Sequence, residues 1–347
     1  MGWKKFRNSD FFIRLTAWEY WPFGIVQFPL FIYWLWLSLR SRSLLFFSAS
    51  NPTIVLGGMF GESKYDVLNL IPDRYKPRTI LVKAPATKPG VMEAIRKNNF
   101  SFPVIFKPDL GERGFMVKKI SREDQIEPYL KSLDKDFLIQ DFLDLPVELG
   151  VFYTRFPDEP EGKVTSVVIK DMLTVTGDGK STLKQLILDK PRAKLQWAKL
   201  SVAHAERLNE VLPAGDQFVL NSIGNHSLGT TFMNGEHLIN PRLSETFDTI
   251  SKQIDGFYFG RFDLRCASLS DLYEGNIKIM ELNGCGAEPA HIYHPGFSLW
   301  KAMGILFIHW RNIFLISMQN HKRGIPFTSF REGRAIHKKF KEATLRK

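Results

Sequence analysis

The chain has 347 residues, 44% hydrophobic and 24% charged, which is long enough for two ordinary domains and excludes disorder or low complexity. Two cysteines, Cys266 and Cys285, exclude a disulfide scaffold or a Cys-rich zinc module and suit a reducing compartment. The net charge of +11 is concentrated at the ends, with +4 in residues 1–48 and +7 in residues 321–347; the neutral middle argues against a nucleic-acid groove, and the ends suit an anionic surface such as a membrane.

Residues 1–48 hold 15 of the chain's 46 aromatic side chains and five of its eight tryptophans. The run Gly24–Leu39 is nearly all apolar but only 16 residues long, short of the roughly 20 that a spanning helix needs, and Gln27 and Pro29 interrupt it. Cations flank it on both sides, so there is no charge asymmetry to orient a crossing. No small-residue cleavage site follows, so a removed signal peptide is not expected. Trp18, Tyr20, Trp21, Trp34 and Trp36 are residue types that favour the headgroup level. Residues 1–48 therefore read as a membrane-interface segment, peripheral or monotopic on the cytoplasmic side; the alternative is an aromatic helix covering a core groove or a dimer interface.

Beyond Ser48, strand-like alternation appears between helical stretches. The expected order begins with a strand at Thr53–Leu56, a helix near Glu62–Leu70, a Pro-punctuated region, and a helix near Gly90–Asn98. Strands follow at Pro103–Lys107, Phe115–Ile120 and Phe137–Gln140, with a loop to Glu148. Strands Val164–Lys170 and Leu173–Val175, helices near Thr182–Leu188 and Gln196–Asn209, and strands Gln217–Asn221, Tyr258–Ala267 and Lys278–Asn283 come next. A helix at Ser298–Ser317 leads into a basic tail. Strands and helices alternate without an internal repeat, which is an α+β pattern.

Several features carry chemistry. Lys107 leaves the apolar strand Val104–Phe106 beside a loop containing Gly111 and Gly114, where backbone N–H groups and an ammonium could hold phosphate; a plain hairpin explains the same residues. In Gly260–Arg265, period-two geometry places Arg261, Asp263 and Arg265 on one face, and in Met280–Asn283 it places Glu281 and Asn283 on one face. The link ending in Gly275-Asn276 reads as a hairpin that sets the two faces side by side. Asp, Glu and Asn converging there form an oxygen-only cluster suited to Mg²⁺ with substrate phosphates, with arginines available to an oxyanion. The alternative is a cross-strand salt-bridge ladder. His291 and His294 lack the HExxH pattern and read as loop structure, and Cys285, without an identified base, reads as packing.

Read in order, Lys64, FPVIFKPDLGERGF, IQDFLDLPVELG, GRFDLR and IMELNG resemble the ATP-grasp superfamily of carboxylate–amine ligases, over roughly residues 60–300. The resemblance implies two α+β lobes gripping ATP. It makes residues 49–100 a reduced preceding region and 101–320 the ATP-grasp domain, with a small lobe near 101–148 and a large lobe near 149–320; 321–347 form the basic tail. Carried over by position, Lys64 and Lys107 hold the ATP phosphates under a loop containing Gly111, Arg113 and Gly114. Gln140, Phe142 and Leu143 meet the adenine and Glu148 the ribose. Asp263, Glu281 and Asn283 bind two Mg²⁺ ions, with Mn²⁺ a possible substitute. Arg261 and Lys107 serve catalysis, Arg261 by steadying an acyl phosphate or tetrahedral intermediate. The segments VTGDGKSTLKQLI and LPAGDQFVLNSIGNHSLGT further resemble cyanophycin synthetases and related amino-acid ligases, which implies that Asn225 and His226 approach the acyl-accepting site.

D-Alanine–D-alanine ligases carry a serine-rich phosphate loop where this chain has Glu112 and Arg113, so a D-alanine substrate is not implied. The expected activity is an ATP- and Mg²⁺-dependent joining of a small-molecule carboxylate to an amine at a membrane, without nucleic acid. The alternatives are a small-molecule kinase on the same fold and a membrane-docked nucleotide-binding module without turnover.

Overall fold

A computed structural model describes residues 18–111, 114–221 and 224–344. Its helices are α1 (Phe23–Ser41), α2 (Lys64–Asn69), α3 (Lys88–Lys97), α4 (Ile126–Ser132), α5 (Leu183–Asp189), α6 (Pro191–Lys194), α7 (Trp197–Ala203), α8 (Pro241–Ser251), α9 (Leu269–Glu274), α10 (Leu299–Lys322) and α11 (Phe330–Thr344). Its strands are β1 (Thr79–Val82), β2 (Val104–Pro108), β3 (Lys118–Ile120), β4 (Phe137–Asp141), β5 (Val147–Thr154), β6 (Lys163–Asp171), β7 (Thr174–Thr176), β8 (Gln217–Val219), β9 (Thr231–Asn234), β10 (Phe259–Cys266) and β11 (Ile277–Asn283). The result is a mixed α and β architecture whose sheets are antiparallel throughout.

One sheet has the order β1-β4-β2-β3. Val104 and Phe106 alternate inward from β2, Phe137 and Ile139 from β4, and they close over Val91 and Ile95 of α3 and Ile126 and Tyr129 of α4. A second sheet, β11-β10-β5-β6-β9, packs one face on α8 and α9 through Phe247, Ile250, Phe262, Leu264 and Leu272. Its other face carries the polar side chains described below. The ribbon β7-β8 has its own small core with α5, α6 and α7, built on Leu173, Val175, Leu183 and Ile187.

Several elements differ from the sequence reading. Thr53–Leu56 is not a strand: Val55–Gly58 forms a tight turn with Leu56, Gly57 and Gly58 at positive φ, packed on the backbone of Gly284. The backbone contact is too close for side chains, since a Cβ on Gly284 would fall 2.2 Å from Gly57 O. Within the 49–100 region, β1 hydrogen-bonds β4 and completes the first sheet. β5, β9 and α8 were missed, and Phe115–Met116 are outside β3. The link between β10 and β11 is not a hairpin turn; it contains α9, capped by the Ser268 side chain and ended by Gly275 at φ 76°. The basic tail folds as α11 against Phe60 and Leu45.

The aromatic segment divides. Phe46, Phe47, Ser48 and Ala49 are buried, and Asn51 staples them to the second sheet by donating to Gly57 O and Phe259 O and accepting from the Tyr258 and Phe259 N–H groups. α1 packs Leu30 and Leu37 against α10 and leaves a row of apolar side chains exposed. No helix among the described residues is long and apolar enough to cross a membrane.

α10 buries His309 against the rings of Phe152 and Phe259, and loss of solvation pulls its imidazole down to about 3. Below the ordinary value of about 6.5 the unfolded chain takes up a proton that the fold refuses, so stability falls as pH drops through that window. A His309→Leu variant should therefore lose less stability than wild type between about pH 6.5 and 4, by on the order of a few kcal/mol. Urea titrations at several pH values check this, and parallel pH slopes would refute it.

Candidate active site

Strand pairing builds the site. β10 and β11 place Asp263 opposite Glu281 and Arg261 opposite Asn283, and β5 places Gly150 beside Asp263 and Glu148 beside Arg265. A bulge after Asp263 absorbs Met280 without disturbing the facing carboxylates. Gly150 keeps this face open, since a Cβ there would lie 2.7 Å from Val168 Cγ1 and 3.2 Å from both Arg261 Cδ and Asp263 Oδ1.

Arg261 holds Asp263 in a fork, donating from Nε to Oδ1 at 3.2 Å and from Nη2 to Oδ2 at 3.0 Å, and its Nη1 donates to Glu288 O at 3.2 Å. Asn283 Nδ2 donates to Asp263 Oδ2 at 2.9 Å. Burial works to raise the Asp263 carboxyl, but Arg261 and Lys170 hold it down to about 2. Glu281 Oε1 lies 2.9 Å from Lys64 Nζ, and Lys64 and Lys107 hold the Glu281 carboxyl below its ordinary value against burial.

The two lysines reach β11 from α2 and from β2 of the first sheet. Lys107, at the end of β2, donates to Gln140 Oε1 at 3.1 Å and to Met280 O at 3.0 Å. Lys64 opens α2 behind the Ser63 cap and donates to Gly111 O at 2.6 Å. Asp109 fixes that turn by accepting from Ser63 Oγ and the Tyr65 N–H, each at 2.9 Å. Gly111 and Gly114 both have positive φ, 146° and 70°, beside that turn; Arg113, assigned to the same loop, lies outside the described residues.

Burial pulls the Lys107 ammonium down to about 8, against the raising influence of Glu281. A phosphate group placed beside it would restore the charged form, so binding of a phosphate ligand there above about pH 8 should take up a proton that binding near pH 7 does not. Calorimetry in buffers of different ionisation enthalpy measures this; uptake unchanged in Lys107→Met would assign the proton elsewhere.

Other expected residues sit less simply. Gln140 is buried, with Oε1 on Lys107 and Nε2 donating to Thr79 Oγ1 at 2.9 Å, so its side chain supports Lys107. Phe142 lies under the Lys119 ammonium, 3.7 Å from its ring centre, and Leu143 O accepts from Arg265 at 2.9 Å. Glu148, expected at the ribose, is buried, with Oε2 accepting from Arg265 Nε at 2.8 Å and Oε1 3.2 Å from Lys170 Nζ. Gly224 backs onto it so closely that a Cβ there would meet Glu148 Oε1 at 1.9 Å. His226 stacks near Tyr20 and Tyr293 and pairs with Glu19 at 3.2 Å. Cys285 is buried and its thiol is pushed up to about 12, an inert packing group.

Lys170 was overlooked. Its Nζ bridges Glu148 Oε1 and Asp263 Oδ1, both at 3.2 Å, from a side chain only 8% exposed. The signal was its parity with Ser166 and Val168 on β6, which becomes meaningful only once Val168 is seen to pair with Gly150. Glu288 and Tyr293 were likewise missed; Tyr293 OH donates to Glu288 Oε2, and Gln27 Nε2 of α1 donates to Oε1 at 2.7 Å.

No group of three or more His, Cys, Asp or Glu side chains placed to hold a metal occurs among the described residues. Two carboxylates and an amide oxygen are nonetheless the hard, oxygen-only donors that Mg²⁺ takes when substrate phosphates and water complete its shell, so Asp263, Glu281 and Asn283 fit that ion.

No family model and no curated protein matches the sequence. Similarity is found to solved structures. A bifunctional glutathione synthetase from Pasteurella multocida matches at 14% identity and TM-score 0.37, over 71% of this chain and 36% of that one. VanG D-Ala:D-Ser ligase from Enterococcus faecalis matches at 13% and 0.41, over 75% and 62%. D-alanine–D-alanine ligase from Bacillus anthracis matches at 14% and 0.44, over 78% and 72%. These are ATP-grasp enzymes. The chain thus spans about a third of the first and under two thirds of the second, and the functional reading rests on the side chains.

Proposed function

We propose that this protein has the ATP-grasp fold and is an ATP- and Mg²⁺-dependent ligase that joins a carboxylate to an amine through an acyl phosphate. The observation that carries the reading is the convergence of Lys64 and Lys107 on Glu281 and Met280 O, beside the facing Asp263, Asn283 and Arg261. Cations alone would describe an anion site. Cations set against paired carboxylates and an amide describe a site for a polyphosphate with its divalent ion.

In this reading Lys64 and Lys107 hold the phosphates, and the turn at Gly111 and Gly114 closes over them with Arg113. The backbone after Gln140, at Phe142 and Leu143, meets the adenine, and Glu148 and Lys170 brace the metal-side carboxylate. Asp263, Glu281 and Asn283 would hold Mg²⁺, which neutralises charge on the transferring phosphoryl group. The substrate carboxylate oxygen attacks the γ-phosphorus and ADP leaves. The amine then attacks the acyl carbon, the carbon–oxygen bond to phosphate breaks, phosphate leaves with the proton the amine gives up, and the amide forms. Arg261, charged and held by Asp263, faces the developing oxyanion, so the chain's contribution is positioning and charge stabilisation. The substrates are small molecules, and the aromatic N-terminal segment suits work at the cytoplasmic face of an anionic membrane.

The test is isotopic. With ATP and amine present, a carboxylate labelled in both oxygens with oxygen-18 should pass one label to the released phosphate. Unlabelled phosphate overturns the acyl-phosphate route, and a stable phosphorylated product formed without amine identifies a kinase instead.

A further inference from the structure

α1 is apolar on both sides, yet only one side is packed. Leu30 and Leu37 are 2% and 1% exposed against α10, whereas Ile25, Phe28, Ile32, Leu35 and Leu39 recur at helical spacing with exposures of 38–79%. Phe31 and Trp36 widen the stripe, and Trp300 and Ile308 are exposed on α10, Trp300 to 84%. A row of large apolar side chains left exposed along a whole helix is unusual on a protein that meets only water. Its border is cationic: neither α1 nor α10 contains a single Asp or Glu, while Arg40, Lys301 and Arg311 lie exposed on them. Arg40 lies over the Trp36 ring at 5.0 Å, a pairing of aromatic ring and guanidinium suited to the headgroup level. Two copies joined by this face would bring two acid-free, cationic borders together, so charge favours an anionic lipid surface over a dimer.

α1 also reaches the candidate site, from its packed side. Gln27, half-buried and one turn before Leu30, donates from Nε2 to Glu288 Oε1 at 2.7 Å, while Glu288 O accepts from Arg261 at 3.2 Å. One acidic residue therefore separates α1 from the guanidinium assigned to the reacting carboxyl. Trp18 Nε1, donating to Phe297 O at 2.7 Å, holds the start of α1 against the same loop.

We propose that the exposed face of α1 and the start of α10 lies in an anionic lipid surface, and that one substrate of the ligase is an amphiphile. Its apolar part rests in that surface and its carboxylate or amine reaches the corner formed by Gln27, Glu288 and Arg261. This rests on the ligase reading for what happens at Arg261, but not for the lipid contact.

The experiment uses the full chain and three readouts. Vesicles of phosphatidylcholine containing phosphatidylglycerol should carry wild-type protein upward in a flotation gradient. The double variant Ile32→Glu/Leu39→Glu, both positions exposed, should float at least tenfold less, with its stabilisation by Mg²⁺ and ATP unchanged. A long-chain fatty acid with a diazirine beside its carboxylate, or the matching long-chain amine, presented in those vesicles should label the segment 286–294. Wild type that fails to float, or a variant that floats equally well, overturns the proposal. So does a concentration-dependent dimer that the variant abolishes, and so does label confined to α1 with either probe. Stabilisation by Mg²⁺ and ATP separates the two readings: its presence without flotation leaves the ligase standing alone, and its absence with flotation and labelling removes the ligase.

Discussion

Glu281→Gln should abolish Mg²⁺-dependent stabilisation by ATP and lower ADP release by about a thousandfold, the loss of several kcal/mol of transition-state charge stabilisation. The substitution keeps the side chain's shape and removes the charge that faces Lys64 at 2.9 Å and Asp263 across the strand pair. Ligand that binds only the folded chain must raise its stability, by about 2.7 kcal/mol at a hundredfold excess over Kd. Thermal unfolding of wild type with ATP, with and without Mg²⁺, should show that rise only with the metal, and the variant should show none. A metal-dependent rise that survives in Glu281→Gln would remove Glu281 from the metal site and undercut the ligase.

Lys170→Met should destabilise the protein by about 3–5 kcal/mol, because it strips a cation from two buried carboxylates at once. Glu148 and Asp263 are 6% and 7% exposed in their side chains, and each keeps only its arginine, with Asn283 also on Asp263. Burial alone would lower the Lys170 ammonium, yet Asp263 and Glu148 raise it, so the lysine is charged in the fold. Adding Glu148→Gln to Lys170→Met should return part of the loss, since the second change neutralises an anion left underpaired. Urea denaturation of the four proteins in that cycle measures it. A loss below about 1 kcal/mol for Lys170→Met would mean that the bridge behaves as a surface pair.

Much of the candidate site was legible because strand periodicity is local. Arg261, Asp263 and Arg265 had to share a face, as did Glu281 and Asn283, whatever lay between them. The link was read as a hairpin and holds α9 instead, yet the two faces still meet, since antiparallel neighbours need only a connection that returns. Lys107 was legible as a lysine leaving an apolar strand. Lys170 was not: its strand was found, but a lysine at a strand end looks solvated until the register of β5 and β6 brings it over Glu148. Glu148 was marked only through the order of the motifs, and its enclosure by Arg265 and Gly224 comes from segments more than 70 residues away in sequence.

The N-terminal segment marks the same boundary. Its composition alone determined that residues 1–48 are aromatic, cation-flanked and too short in their apolar run to cross a bilayer, because these follow from residue type and count. Tertiary structure alone decided that Phe46 and Phe47 are core, that Leu30 and Leu37 are packed while Ile32 and Leu39 are exposed, and that Gln27 touches Glu288. A helix apolar on every side contains no internal cue to which side is covered; that is set by where α10, some 270 residues later, lies against it.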